Sequence, residues 1–89
     1  MSDFQIDGVK YEILWATDIP ARDGIACELR SVKLAPHGMS LERKLLAEVF
    51  RDDEKRKIVF SGFAKNVPLA AIEQLLRIFN QGGGRDFME

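Results

Sequence analysis

The sequence predicts an α+β fold in which an antiparallel sheet of four to five strands is covered on one face by a single C-terminal helix. An Asp-Gly dipeptide between two apolar stretches in residues 4–15 indicates a β-hairpin. Residues 57–63 are rich in β-branched and aromatic side chains, which favours a strand. Residues 67–81 have the apolar spacing of an amphipathic helix, and three glycines follow them.

The composition is that of one globular domain. The chain has 89 residues, of which 46% are hydrophobic and 30% charged, enough for one core and too charged for a membrane span. We expect a soluble domain over residues 1–81 and a flexible, glycine-rich tail over residues 82–89. The lone Cys27 and the absence of a signal-peptide pattern predict a cytoplasmic location.

The first hairpin is predicted to turn at Asp7 and Gly8. These residue types supply the positive φ angles of a type I′ turn, whose twist matches that of paired strands. In the second strand, apolar residues alternate with Lys10 and Glu12, which is the pattern of a half-buried strand. The face predicted to point inward carries Val9, Tyr11, Ile13 and Trp15.

Residues 17–24, which include Pro20, are predicted to form a loop. The strand that follows changes the parity of its alternation. The apolar residues are first Ile25, Cys27 and Leu29, and then Val32 and Leu34. An extra residue near Arg30 and Ser31, forming a β-bulge, accounts for this change, as do two short strands that meet at a bend.

Residues 40–51 fit both a helix and a strand. A helix would begin at Ser40 and repeat Leu41, Leu45 and Val49 on one side, whereas a strand would alternate along the whole segment. The charged connector at residues 52–56 leads into the strand at 57–63, so a hairpin joining the two segments is plausible. We therefore predict a strand.

The C-terminal helix is predicted over residues 67–81, with Asn66 as N-cap and Pro68 in the first turn. At 100° per residue, the stripe expected to cover the sheet carries Leu69, Ile72, Leu76 and Phe79. A second apolar strip of Ala71, Leu75 and Ile78 widens the apolar arc beyond what one sheet requires. Either the chain's own residues, such as Met39 or Phe87, or a partner must cover it.

Groups that carry catalysis or bind metal are scarce in the sequence. His37 is the only histidine, and it lies in a Pro-His-Gly turn with no adjacent nucleophile pattern. His37 and Cys27 match no metal-ligand spacing, and the pair Asp52 and Asp53 lies in a charged connector. We expect no enzyme activity, no cofactor and no metal.

The wide apolar arc indicates an interaction module. We expect a non-enzymatic protein that forms a homodimer, or a subunit or inhibitor that docks on another protein. The predicted partner-binding residues are Ala71, Leu75, Ile78, Trp15 and Phe63.

A nucleic-acid-binding domain is the alternative. Single-strand binders combine cationic side chains with exposed aromatic rings. The basic residues available for this are Arg43, Lys44, Lys55, Arg56 and Lys57, with an exposed phenylalanine. Phe60 and Phe63 have opposite parity in a regular strand, however, and the net charge is −1, so the sequence favours this function less.

Overall fold

The computed structural model, which describes residues 2–17 and 22–87, contains one antiparallel sheet whose five strands follow the order of the sequence, and one helix. The elements are β1 (Ser2–Ile6), β2 (Val9–Ala16), β3 (Gly24–Leu34), β4 (Leu41–Asp52), β5 (Lys57–Gly62) and α1 (Leu69–Gln81). This confirms the α+β fold and the strand predicted over residues 40–51. Pro20, in the predicted loop, and residues 88–89 of the predicted tail lie outside the described residues.

The β1–β2 turn has the geometry that its residues predict. Asp7 and Gly8 have φ angles of 50° and 80°, both positive as a type I′ turn requires. The turn sets the register in which Phe4 lies opposite Tyr11, and their rings stack with centroids 5.4 Å apart. Tyr11 and Ile13 are buried beneath α1, so the inward face of β2 is the predicted one.

The extra residue that the β3 pattern suggested lies in β4 instead. β3 pairs with β2 without interruption, whereas Leu29 pairs with Ala47 and Arg30 pairs with Leu45. Leu46 is therefore the bulged residue, and both Leu46 and Ala47 join the core under α1. Val32 does not return to that face: it is buried on the opposite one, which we call the outer face.

Helix α1 begins later than predicted. Its N-cap is Pro68, whose aliphatic side chain cannot accept a hydrogen bond. Asn66, the predicted N-cap, lies three residues before the helix with a left-handed φ of 58°. Its end at Gln81 agrees with the prediction. The N–H of Gly84 donates to the carbonyl of Phe79 and that of Gly83 to Asn80, with Gly83 at φ 79°, which is a Schellman motif.

The rotation of α1 about its axis also differs from the prediction. Ala71, Leu75 and Phe79 are fully buried against the sheet, whereas Leu69 is 71% and Leu76 38% exposed. The helix therefore packs through its i, i+4, i+8 row, and Ile72 and Ile78 border that row. Ala71 has a small side chain that lets the helix approach the sheet, and Phe79 stacks on Trp15.

The described part of the segment after the helix contacts the sheet through Arg51. A guanidinium nitrogen of the buried Arg51 donates to the carbonyls of Gly83 and Asp86, at 3.2 and 2.8 Å. The Arg51 side chain also pairs with Asp53 at 3.0 Å. Arg51 thus holds residues 82–87 against β4 through these hydrogen bonds.

Candidate interaction surface

The side chains that could take part in catalysis or metal binding lie apart from one another. His37, in the exposed turn after β3, accepts the backbone N–H of Met39 at 3.1 Å, which accounts for its place in that turn. Burial raises the pKa of the Cys27 thiol to about 11, so the thiol stays protonated and unreactive near neutral pH. Among the described residues, no group of three or more His, Cys, Asp or Glu side chains could hold a metal ion.

Most of the predicted partner-binding residues lie within the domain. Ala71 and Leu75 are fully buried in the core, Ile78 packs at its margin, and Trp15 stacks on Phe79 with centroids 5.8 Å apart. These four residues hold α1 on its own sheet and are not brought together at the surface. Phe63 alone of the predicted set is well exposed, at 54%.

The exposed Phe63 leads to the free edge of the sheet. It directly follows β5, which has β4 on one side and no strand on the other in the described structure. Val59 is 38% and Phe60 51% exposed on the same strand. We call Val59, Phe60 and Phe63, with the outward backbone of β5, the β5 edge surface.

The backbone of β5 presents a regular set of outward groups. The N–H of Phe63 donates to the carbonyl of Leu46 at 2.8 Å, so Phe63 continues the pairing with β4. Hydrogen-bonding direction alternates along an antiparallel strand, and therefore the N–H and C=O groups of Ile58, Phe60 and Gly62 point away from β4. Within the described residues, no backbone hydrogen bond from these three reaches another element.

Sequence reasoning considered Phe60 only as a base-stacking residue and did not consider Val59. A usable signal was present, because consecutive strands of a meander are neighbours and the last strand then lies at an edge. Phe60 shares the helix-covered face with Ile58, whereas Val59 and Phe63 have the opposite parity. The β5 edge surface therefore has an apolar residue on each face of the sheet.

Two other apolar regions are exposed. On α1, Leu69 and Leu76 are exposed on a different arc from the one that faces β1, where Ala70, Glu73, Gln74 and Arg77 line a groove of 360 Å³. At the far end of the long β3–β4 hairpin, Leu34, Met39 and Leu41 are exposed beside a charged segment. The first region spans about two turns of α1, and the second lies at the end of the hairpin, where residues 41–45 of β4 pair only with β3 in the described structure. Neither region exposes a phenylalanine, whereas the β5 edge surface exposes two.

The basic residues of the nucleic-acid alternative are divided between two places. Arg43 and Lys44 lie near the start of β4, and Lys55 lies beyond its end, so about 26 Å of strand separates them. Arg43 is also held by Glu12, with Nε 2.6 Å from Oε1. The guanidinium of Arg56 lies 5.1 Å from the centre of the Phe87 ring. The five side chains do not form one basic patch.

Ion pairs between side chains of this chain lie across the outer face of the sheet. Arg22 binds Glu48 at 2.7 Å and lies 3.7 Å above the ring of Phe50, while Arg30 binds Glu28 at 2.7 Å. The hydrogen bond from Arg43 holds the pKa of the Glu12 carboxyl below its ordinary value, against the opposing effect of its burial. These pairs bring opposite charges together on the outer face, although the buried Nε of Arg30 has no hydrogen-bond partner among the described residues.

Comparison of the chain with protein-family models, with curated proteins and with solved structures found no match in any of the three. In the described ranges, no helix has the length and apolar character needed to cross a membrane.

Proposed function

We propose that this protein is a non-enzymatic interaction module that binds another protein chain through the β5 edge surface. One observation carries the proposal: an edge strand with open backbone groups also exposes Val59, Phe60 and Phe63. Proteins usually protect such edges with charge, proline or a bulge, because an open apolar edge pairs with other strands. β5 has neither a proline nor a bulge, and its only charged residue is Lys57 at its start.

The mode of binding follows from the geometry of the edge. An added strand pairs with the outward backbone of Ile58, Phe60 and Gly62, which supplies affinity, and side chains on both faces supply specificity. The partner is a second copy or another protein to which this chain is a subunit or an inhibitor. Of the residues predicted from the sequence, Phe63 belongs to this surface. Ala71 and Leu75 do not, because they are core residues.

Binding of nucleic acid has less support. It needs a continuous basic track, and Arg43 and Lys44 are far from Lys55 along β4. A fluorescence titration with single- and double-stranded oligonucleotides is expected to show no salt-dependent affinity. A salt-dependent affinity that is lost on Phe60→Ala would favour nucleic acid over protein as the ligand of this edge.

A cytoplasmic location belongs to the same proposal. Cys27 is a buried free thiol and the only cysteine of the chain, which suits a reducing compartment.

Photo-crosslinking in the cell of origin tests the proposal. Benzoylphenylalanine in place of Phe63 is expected to give a discrete adduct, because this ring lies beside the edge. The adduct is expected to disappear when Phe60→Glu is added and to persist with Leu34→Glu, a matched exposed leucine at the far hairpin end.

The crosslinker placed at Gln5 on β1, the other edge strand, is the positional control. Equal adducts from positions 5 and 63, or an adduct at position 63 that Phe60→Glu leaves unchanged, would contradict binding through β5.

A further inference from the structure

We infer that the occupant of the β5 edge surface is a second copy of this chain, joined by antiparallel pairing of the two β5 strands about a two-fold axis at Phe60. The inference rests on the proposed function and adds the identity of the partner and the register. In this arrangement the two sheets become one, and each Phe60 lies opposite the Phe60 of the other copy.

The backbone of β5 is self-complementary about Phe60. The outward residues are Ile58, Phe60 and Gly62, which are spaced evenly around the central one. A two-fold axis at Phe60 pairs it with its own copy and pairs Ile58 with Gly62 on both sides of the axis. Every outward N–H and C=O group of the strand then has a partner in hydrogen-bonding position.

The neighbouring register, centred on Val59, satisfies fewer groups. It pairs Ile58 with Phe60 and leaves Gly62 opposite Arg56. Arg56 has a φ of 55° in the β4–β5 turn, so its backbone is not extended and cannot continue a ladder. The turn geometry therefore disfavours the register centred on Val59 relative to the one centred on Phe60.

The side chains of the edge also match in this register. Gly62 has no side chain, and a Cβ there would lie 3.7 Å from Phe60 Cε2, which is ordinary contact distance. The Ile58 of the other copy lies opposite this open position. On the outer face, Lys57 lies opposite Phe63, where its aliphatic stem covers the ring and its ammonium interacts with the ring face.

The exposed apolar residues of the edge are thus all accounted for by one symmetric contact. Phe60 packs on Phe60, Phe63 is covered by Lys57, and Val59 lies opposite Ser61. A single six-residue strand makes a small interface, below the roughly 800 Å² per partner of stable complexes. The dimer is therefore expected to be weak.

A charge-swap experiment on the purified full chain tests the two-fold axis. Sedimentation equilibrium of the wild type is expected to show a mass that rises above the 10.1 kDa of one chain as concentration increases. Phe60→Glu and Phe60→Lys each place like charges opposite each other and are expected to raise the Kd by at least about 100-fold. An equimolar mixture of the two variants is expected to restore the dimer, and Leu34→Glu to leave it unchanged.

Cysteine crosslinking tests the register. Residues in a hydrogen-bonded antiparallel pair have Cα atoms about 5.5 Å apart, within the range that a disulfide spans. With oxidised glutathione, Phe60→Cys is expected to form a covalent dimer rapidly. Val59→Cys, its neighbour on the same strand, is expected to do so at least about tenfold more slowly, because Val59 lies opposite Ser61 and the diagonal separation is about 7 Å or more.

The results that overturn the inference are specific. A wild-type chain that stays monomeric up to about 500 μM contradicts the dimer. Failure of the charge-swap mixture, or faster linkage by Val59→Cys, contradicts the axis at Phe60. If the dimer fails while a Phe60-dependent adduct of another mass forms in cells, the proposed function stands and only the partner is wrong.

Discussion

The indole ring of Trp15 on β2 stacks on the phenyl ring of Phe79 on α1, with centroids 5.8 Å and planes 21° apart. This contact joins the end of the helix to the sheet. Gly84 packs against the same Phe79 side chain from the segment after the helix. Trp15 and Phe79 therefore fix how α1 is rotated, and that rotation decides which apolar residues of the helix are exposed.

Truncating Phe79 is expected to destabilise the fold severely. Phe79→Ala removes a fully buried ring and its stacking contact with Trp15. We expect the free energy of unfolding to fall by about 3–5 kcal/mol. Leu76→Ala on the same helix, at a partly exposed position, is expected to cost less than about 1 kcal/mol. Urea denaturation of both variants checks this, and equal losses would contradict the helix rotation.

A side chain at Gly84 is expected to disturb the end of α1. A Cβ at this position would lie 2.5 Å from Phe79 Cδ1 and 2.6 Å from the Phe79 carbonyl oxygen, so the backbone must shift. We expect Gly84→Ala to lower the free energy of unfolding by about 1–3 kcal/mol.

Arg85→Ala is the control for Gly84→Ala, because the exposed Arg85 only binds the Asn80 side chain. Its cost is expected to be under about 0.5 kcal/mol in the same thermal or urea unfolding measurement. A Gly84→Ala variant as stable as Arg85→Ala would show that residues 82–87 do not pack as described.

The Glu12–Arg43 pair is expected to make stability depend on pH. The pKa of the Glu12 carboxyl in the folded chain is lower than its ordinary value of 4.5. The ionised carboxylate therefore stabilises the fold above pH 4.5, and this contribution is lost as the pH falls below 4.5. Glu12→Gln should therefore be less stable than the wild type at pH 7, with a difference that shrinks on acidification.

Urea denaturation at several pH values between 7 and 3 measures the effect of Glu12→Gln. Glu42→Gln is the matched control, because Glu42 is exposed and its contact with Lys33 is 4.0 Å long. A loss for Glu12→Gln that is constant with pH would contradict a lowered pKa.

Cys27 is expected to react only when the chain unfolds. With a pKa of about 11, about 0.1% of this thiol is ionised at pH 8, and burial also blocks access to it. Modification by Ellman's reagent should be slow in buffer and should accelerate across the urea unfolding transition. Leu34→Cys, which adds an exposed thiol, should react at once without urea, whereas rapid reaction of the wild type would contradict the buried position.

Several elements could be predicted because their signals are local. The Asp7-Gly8 dipeptide determines a type I′ turn through the backbone preferences of two residues, and alternation around Tyr11 and Ile13 determines the inward face of β2. The parity change of β3 was also visible. The cause of this change could not be predicted, because the bulge at Leu46 belongs to the neighbouring strand β4. Pairing between strands decides which strand carries the extra residue.

By itself, the sequence determined β1, β2 and β5, the first turn and the end of the helix, since periodicity and turn chemistry act over a few residues. Residues 40–51 fit both a helix and a strand, and only the neighbouring segments favoured the strand. Only the tertiary structure decided which residues of α1 are buried. An apolar arc as wide as that of Leu69, Leu75 and Leu76 permits several rotations, and the packing of Ala71 and Phe79 on the sheet selects one. The same packing buries Ala71 and Leu75 of the predicted second strip in the core, whereas Phe60, on the edge strand β5, stays exposed, and we propose that it contacts a partner.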